Sequence, residues 1–225
     1  MEENYNNLFN YKISYSKNRK KTIGLKITDG ILVITSPKNI KTDFILSIIK
    51  KRERWILERI KSKQRLNKEL INNNKIKFIG SEIEIIIKEN SLLKNGGYCE
   101  LINNNLLINI SNNYDENLLK TIIKNWYKDK CFELISKRVD EYAKQYNLNY
   151  NKITIKEQKS VWGTCNIRND LTFNWKIMFF DLDVIDYLVV HELAHTIYRN
   201  HSKSYWNYIS KIIPNHKELR EKLKY

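Results

Sequence analysis

Near the C-terminal end the chain reads Val190-His191-Glu192-Leu193-Ala194-His195, and His201 follows six residues later. On a helix, residues i and i+4 stand one above the other on the same face, so His191 and His195 can close on a single metal ion. Glu192 then lies beside that ion, placed to take a proton from a water molecule there. A neutral nitrogen from His201 would complete three protein ligands and leave a fourth position open. That is the pattern of a catalytic zinc site holding one zinc ion per chain. The chain has only four His in 225 residues, and three of them fall in this eleven-residue window.

The elements that must position these residues follow from helix geometry. Along an unbroken helix the step from His195 to His201 turns about 600°, which is about 240° away from the ligand face. The chain must therefore leave the helix between them. Asn200 is the expected place, since Asn adopts the left-handed conformation that ends helices more readily than other residues with a Cβ. Arg199 suits the negative end of the helix dipole. Asp183 is the expected N-cap, with Asp186 three residues on.

Length and composition bound the rest. A chain of 225 residues buries a real core in one large or two small domains. No run of eighteen apolar residues exists, and the N-terminus has no signal-peptide core, so neither a membrane partner nor a leader is expected. Three cysteines without a Cys-x-x-Cys pair suit a reducing cytoplasm. The net charge of +15 divides into +12 for residues 1–80 and +3 for residues 81–225. A basic N-terminal third suits non-specific contact with nucleic acid phosphates, though heavy use of Lys, Asn and Ile throughout also looks like compositional bias.

Residues 10–35 alternate as strands do, with Asp29-Gly30 a two-residue hairpin turn. Thr42 can cap a helix carrying Phe44, Ile45, Ile48 and Ile49 and continuing through Trp55, Ile56 and Ile60. Strands resume at residues 76–79 and 83–87, and residues 98–110 form a hairpin with Asn103-Asn104-Asn105 at its tip. The apolar spacing then predicts a long helix from Glu116 to Tyr146. Residues 111–115 mark a domain boundary, giving a β-rich, basic domain over 1–112 and a metal-binding domain over 113–225. Short strands at 153–155 and 171–173 flank Trp162-Gly163-Thr164-Cys165. Ser202 can cap a helix that Pro214 stops, and a last short helix follows. No internal repeat is visible.

Trp162-Gly163-Thr164-Cys165, Asn174-Trp175, Val189–His195, Asn200-His201-Ser202 and Tyr205-Trp206 together resemble the YgjP-like zinc metallopeptidases, relatives of the SprT and WLM proteases. Order and spacing match over Ile153–Leu223, and the earlier segments fit more loosely. The resemblance implies an α+β fold: a zincin-like (minigluzincin) core with the metal helix packed on a small sheet, preceded by the β-rich domain. It carries the metal ligands onto His191, His195 and His201, and the catalytic base onto Glu192. Two positions depart from the family pattern. Val161 stands where Arg is usual before the Trp-Gly pair, and Thr164 stands where Ser is commoner.

The expected function is therefore a zinc-dependent hydrolase acting as a metallopeptidase on a polypeptide substrate. Metal-activated water would attack the substrate, with Glu192 as general base. The strand near Leu171–Asn174 is the expected sheet edge for pairing with an extended peptide. Tyr198, Arg199 and Tyr205 are candidates for stabilising an oxyanion. Cys165 reads as packing or, at most, as support behind a ligand, and His216 as a surface residue rather than a ligand. Two other readings stay open. One is a metal-dependent hydrolase of nucleotides or other phosphoanhydrides; the other is a nucleic-acid-binding module with an accessory metal site. Oligomeric state is not legible in the sequence.

Overall fold

The computed structural model describes residues 3–5, 7–16, 19–20, 22–28, 31–67 and 70–224. Among them the fold is mixed α+β, with five α-helices and three small sheets. The chain divides into two compact units, residues 1–69 and residues 70–224. The boundary expected at 112/113 falls inside the second unit. The reason is that the helix following that point packs back on the hairpin preceding it, so the polar stretch 111–115 is a strand-to-helix turn rather than a linker.

The first unit holds β1 (Glu3–Tyr5), β2 (Phe9–Tyr15), β3 (Gly24–Thr28), β4 (Ile31–Ser36) and α1 (Thr42–Asn67). Its sheet has the order β1-β2-β4-β3, with β2 and β4 parallel and the outer pairs antiparallel. Alternation along the strands sends Phe9, Tyr11, Ile27, Leu32 and Ile34 to one face. Ile45, Ile49, Ile56 and Ile60 of α1 meet them there in one buried cluster. The Asp29-Gly30 turn lies outside the described residues, while Thr28 pairs with Ile31 on either side of it.

The second unit opens with β5 (Lys75–Phe78), β6 (Ser81–Glu89), β7 (Gly97–Ile102), β8 (Asn105–Ile110) and α2 (Glu116–Tyr146). Its sheet order β5-β6-β8-β7 repeats that of the first unit, with the same parallel central pair. From the second strand onward the two copies match at an offset of 74, while the first hairpin of each has its own register. Tyr11 pairs with Leu32 as Ile85 does with Leu106, β4 and β8 start and stop 74 residues apart, and so do the first residues of α1 and α2. Even the Ser16 N–H to Ser36 carbonyl bond recurs as Asn90 to Ile110. The chain thus contains an internal ββββα repeat, contrary to the expectation from sequence. What repeats is the placing of apolar residues, whereas residues 11–50 and 85–124 share only eight identities in forty positions.

In α2, Asp115 caps the first turn by accepting from the Leu118 N–H at 2.7 Å, and Asn147, at φ 51°, closes the last. The helix carries Tyr127, Cys131, Ile135 and Val139 into the body that follows. That body comprises β9 (Lys152–Lys156), β10 (Gly163–Cys165), β11 (Asp170–Asn174), a 3-10 helix (Trp175–Phe179), α3 (Leu182–Ala194), α4 (Lys203–Ile212) and α5 (His216–Lys222). The third sheet has the order β10-β11-β9. β11 is its central strand, so the expectation that Leu171–Asn174 forms an edge is corrected. The antiparallel partner that occupies its flank is the short Gly-Thr-Cys strand, β10, and the free edges belong to β10 and β9.

α3 is apolar on most of its surface and is buried accordingly through Val184, Ile185, Leu188, Val189 and Leu193. Arg138 of α2 forks onto Asp186, tying the two helices together. The helix begins two residues earlier than Asp183 would place it: Asp181 is the N-cap, and Asp183 accepts from the N–H of Val184 inside the first turn. No described helix is long and apolar enough to cross a membrane.

Candidate metal centre

α3 brings His191 and His195 onto one face, a turn apart, with ring centroids 5.1 Å apart. The chain leaves the helix at His195 without a left-handed residue. His195 keeps a right-handed conformation as C-cap, and the N–H groups of Thr196, Ile197 and Tyr198 bond back to Leu193 and Ala194 in tightened turns. Asn200 is not among the residues with positive φ, so its expected role is corrected. The turn returns His201 to the site, where Ser202 then caps α4 by accepting from the Tyr205 N–H. One ligand-type atom from each of His191, His195 and His201 lies within 4.8 Å of the others, and the Nε2 atoms of His191 and His201 are 3.3 Å apart.

Their hydrogen bonds decide which nitrogens are free. His195 Nδ1 is 2.9 Å from the Tyr198 carbonyl oxygen, which can only accept, so Nδ1 carries the proton and Nε2 has the lone pair. The Tyr205 hydroxyl is 3.1 Å from the His191 carbonyl oxygen and donates to it. The hydroxyl then accepts from His191 Nδ1–H at 2.7 Å, again leaving Nε2 free. Burial, followed by the like charge of His195, His201 and Arg220, pushes the His191 imidazole down to about 3. Burial also lowers His201, assisted by His195 and Arg220. Neutral imidazoles with lone pairs converging on one point suit a divalent cation of borderline softness, so the residues fit zinc.

Glu192, next to His191 on α3, lies with its side chain against Gly163 of β10. It is 4% exposed, its carboxyl has no hydrogen-bond partner among the described residues, and desolvation pushes it up to about 8. Gly163 makes its space. A Cβ there would stand 2.5 Å from Glu192 Oε1 and 2.7 Å from its Cγ, so only glycine lets the β10 backbone lie against this carboxyl.

An aromatic brace that sequence reasoning missed backs the third histidine. Trp206 stacks on His201 with centroids 5.4 Å apart, His216 stacks on Trp206 at 5.9 Å, and Arg220 lies over the same indole at 4.8 Å. His216 is buried rather than on the surface, and its Nδ1 lies 3.2 Å from the Ile213 carbonyl oxygen. It stands outside the three-His cluster. Trp162 fixes α5 by donating its indole N–H to the Leu223 carbonyl oxygen at 2.8 Å.

The three candidates for an oxyanion partner are otherwise engaged. Tyr205 is fully buried against His191, Tyr198 pairs with Tyr208, and Arg199 holds the β10–β11 loop through the Asn166 carbonyl and the Asn169 side chain. Cys165 lies beside Arg199 and bonds to the Asn166 carbonyl, outside the three-His cluster. Asn174 is buried at the end of β11, where its side chain donates to the Gln158 and Val161 carbonyls and its backbone N–H to the Trp162 carbonyl, tying down the segment that leads into β10.

No curated protein matches the chain. Among solved structures, the metallopeptidase zymogen abylysin of Pyrococcus abyssi is similar over 40% of this chain and 90% of its own, at 18% identity and TM-score 0.37. The zymogen jannalysin of Methanocaldococcus jannaschii is similar over 40% and 92%, at 24% identity and TM-score 0.36. The family model described as "YgjP-like, metallopeptidase domain" matches residues 21–225, so this chain belongs to the YgjP-like metallopeptidase family.

Proposed function

We propose that the protein is a zinc-dependent peptidase with a zincin-like core, in which His191, His195 and His201 hold the ion and Glu192 is the general base. The observation that carries this reading is the convergence of three imidazoles, two of them with Nδ1 committed to oxygen partners, beside a buried carboxyl. Zinc, when bound, supplies a Lewis acid that polarises the scissile carbonyl and lowers the pKa of water toward about 7. The chain does the rest. Tyr205 and the Tyr198 carbonyl orient two imidazoles, and Trp206 backs the third. Glu192 accepts a proton from the attacking water at its carboxylate oxygen and delivers it to the leaving amine. Its exclusion from solvent strengthens its basicity, since burial disfavours the charged form.

The free edge of β10 is the surface for an extended peptide. Backbone pairing there would lay the substrate alongside Gly163 and therefore beside Glu192. Exposed Val161 and Ile167 flank this strand and offer apolar contact to substrate side chains.

The test is metal content and hydrolysis of an unfolded polypeptide by wild type, Glu192→Gln and His201→Ala. Wild type should carry close to one zinc per chain. Glu192→Gln should keep the zinc while losing about 10²–10⁴-fold in turnover. A wild type that takes up no zinc, or a Glu192→Gln variant that turns over normally with zinc in place, would sink the reading.

A further inference from the structure

The two ββββα copies share a backbone plan but not a surface. Residues 9–67 contain sixteen Lys and Arg against four Asp and Glu, a net +12, while the matched residues 83–141 contain eight against nine, a net −1. A bias toward Lys acts on both copies alike, and the fold is satisfied by either surface. Neither explains a difference of thirteen charges on one scaffold. The second copy is an internal control, and against it the charge of the first is a property that the fold does not require.

Part of that charge is gathered on one face. α1 covers one side of the first sheet. On the other side β2 presents Asn10, Lys12 and Ser14 and β3 presents Lys26, all exposed. Lys12 and Lys26 stand level, each opposite Val33 of the strand between them, with backbones about 10 Å apart at ordinary strand spacing. Arg19 joins them. Its guanidinium lies 3.0–3.3 Å from where a Cβ of Gly24 would be, on the side to which Lys26 points, and is steadied by the Thr22 hydroxyl at 3.2 Å. Neither lysine has an acidic partner among the described residues. At the matched positions the second copy has Ile86, Leu93 and Glu100.

We propose that this open sheet face binds the phosphate backbone of nucleic acid without reading base sequence, with Lys12, Arg19 and Lys26 as the contacts. Three cations over a floor of Val33, Thr35 and Ser14 match a line of phosphates. The strand residues of this face include no aromatic ring on which a base could stack, so recognition stops at the backbone.

The experiment measures fluorescence anisotropy of the full chain with labelled single-stranded and duplex DNA of several sequences, titrated over salt. The variant combines Lys12→Ile, Arg19→Leu and Lys26→Glu, the residues that the same scaffold already carries in its second copy. A charge-matched control combines Lys88→Gln, Lys94→Gln and Lys120→Glu in that second copy. Wild type should bind all sequences alike. The triple variant should bind at least tenfold more weakly and flatten the plot of log affinity against log salt by about 2–3 on duplex DNA, at about 0.9 per lost phosphate contact. The control should stay near wild type. If the triple variant fails to fold, Lys12→Gln with Lys26→Gln should move affinity and slope in the same direction. No wild-type binding at low salt, an equal loss in the control, or strong preference for one sequence would overturn the proposal. So would binding to phosphatidylserine vesicles without binding to DNA.

Discussion

The Tyr205 hydroxyl touches His191 twice, at Nδ1 and at the backbone carbonyl oxygen. One phenol therefore sets both the tautomer of the imidazole and the position of its helix turn. Such partners of metal-binding histidines are worth about 10–100-fold in metal affinity. Tyr205→Phe keeps the packing and removes both bonds, so zinc affinity measured by chelator competition should fall by that factor with little change in fold. Unchanged affinity would show that the ring orientation is held by packing alone.

Gly163→Ala tests the contact between β10 and Glu192. The added methyl collides with the carboxyl stem, and overpacking of this kind costs about 1–3 kcal/mol. The carboxyl must move to relieve it, so turnover should drop sharply while zinc content stays near one per chain. Full activity in Gly163→Ala would mean that Glu192 has room this arrangement does not provide.

Metal-free protein should become less stable as pH rises. Burial pushes Glu192 up to about 8 from the usual 4.5, so between those values the folded chain holds a proton that the unfolded chain releases. The stability due to that proton is fully present below about 4.5 and is lost as pH rises toward 8. Glu192→Gln has no such proton to lose. Its melting temperature should exceed that of wild type increasingly from pH 5 to 8, with the curves converging at acid pH. Parallel curves would show that the carboxyl ionises freely in the folded chain.

The two histidines outside α3 should separate cleanly. His201→Ala should abolish tight zinc binding. His216→Ala should leave zinc bound but lower stability by about 1–3 kcal/mol, because it removes a buried ring stacked on Trp206. Trp206→Ala should fall between them, weakening zinc binding through the loss of support behind His201. Comparable zinc loss in His201→Ala and His216→Ala would require a different third ligand.

The placing of His191, His195 and Glu192 is legible because it depends on helix period alone, and that of His201 because a short turn can bring it back. The roles of Tyr205, Trp206 and His216 are not. They depend on where α4 and α5 fold, which local spacing does not determine. The same holds for β10 and β11: both read as short strands, but which is the edge depends on a parallel pairing of β11 with β9 eighteen residues away. Asn200 fails for another reason, since a 3-10-like tightening at Thr196–Tyr198 turns the chain before any left-handed residue is needed. The repeat is not legible in the sequence because apolar positions carry it, and these tolerate exchange among Ile, Leu, Val and Tyr.

The 74-residue offset also bears on ancestry. Each copy closes its own four-stranded sheet, so a ββββα unit could have existed as a self-contained piece before it was doubled. In the second copy the helix runs on for 31 residues, against 26 in the first, and its later turns carry Tyr127, Cys131, Ile135 and Val139 into the body that holds the three-His cluster. At the corresponding places in the first copy stand Glu53, Leu57, Lys61 and Arg65. In the second copy the helix is held to an apolar face by the body that packs on it. In the first copy no such body follows, and the same positions are free to carry charge, so one backbone plan accommodates two different surfaces in one polypeptide.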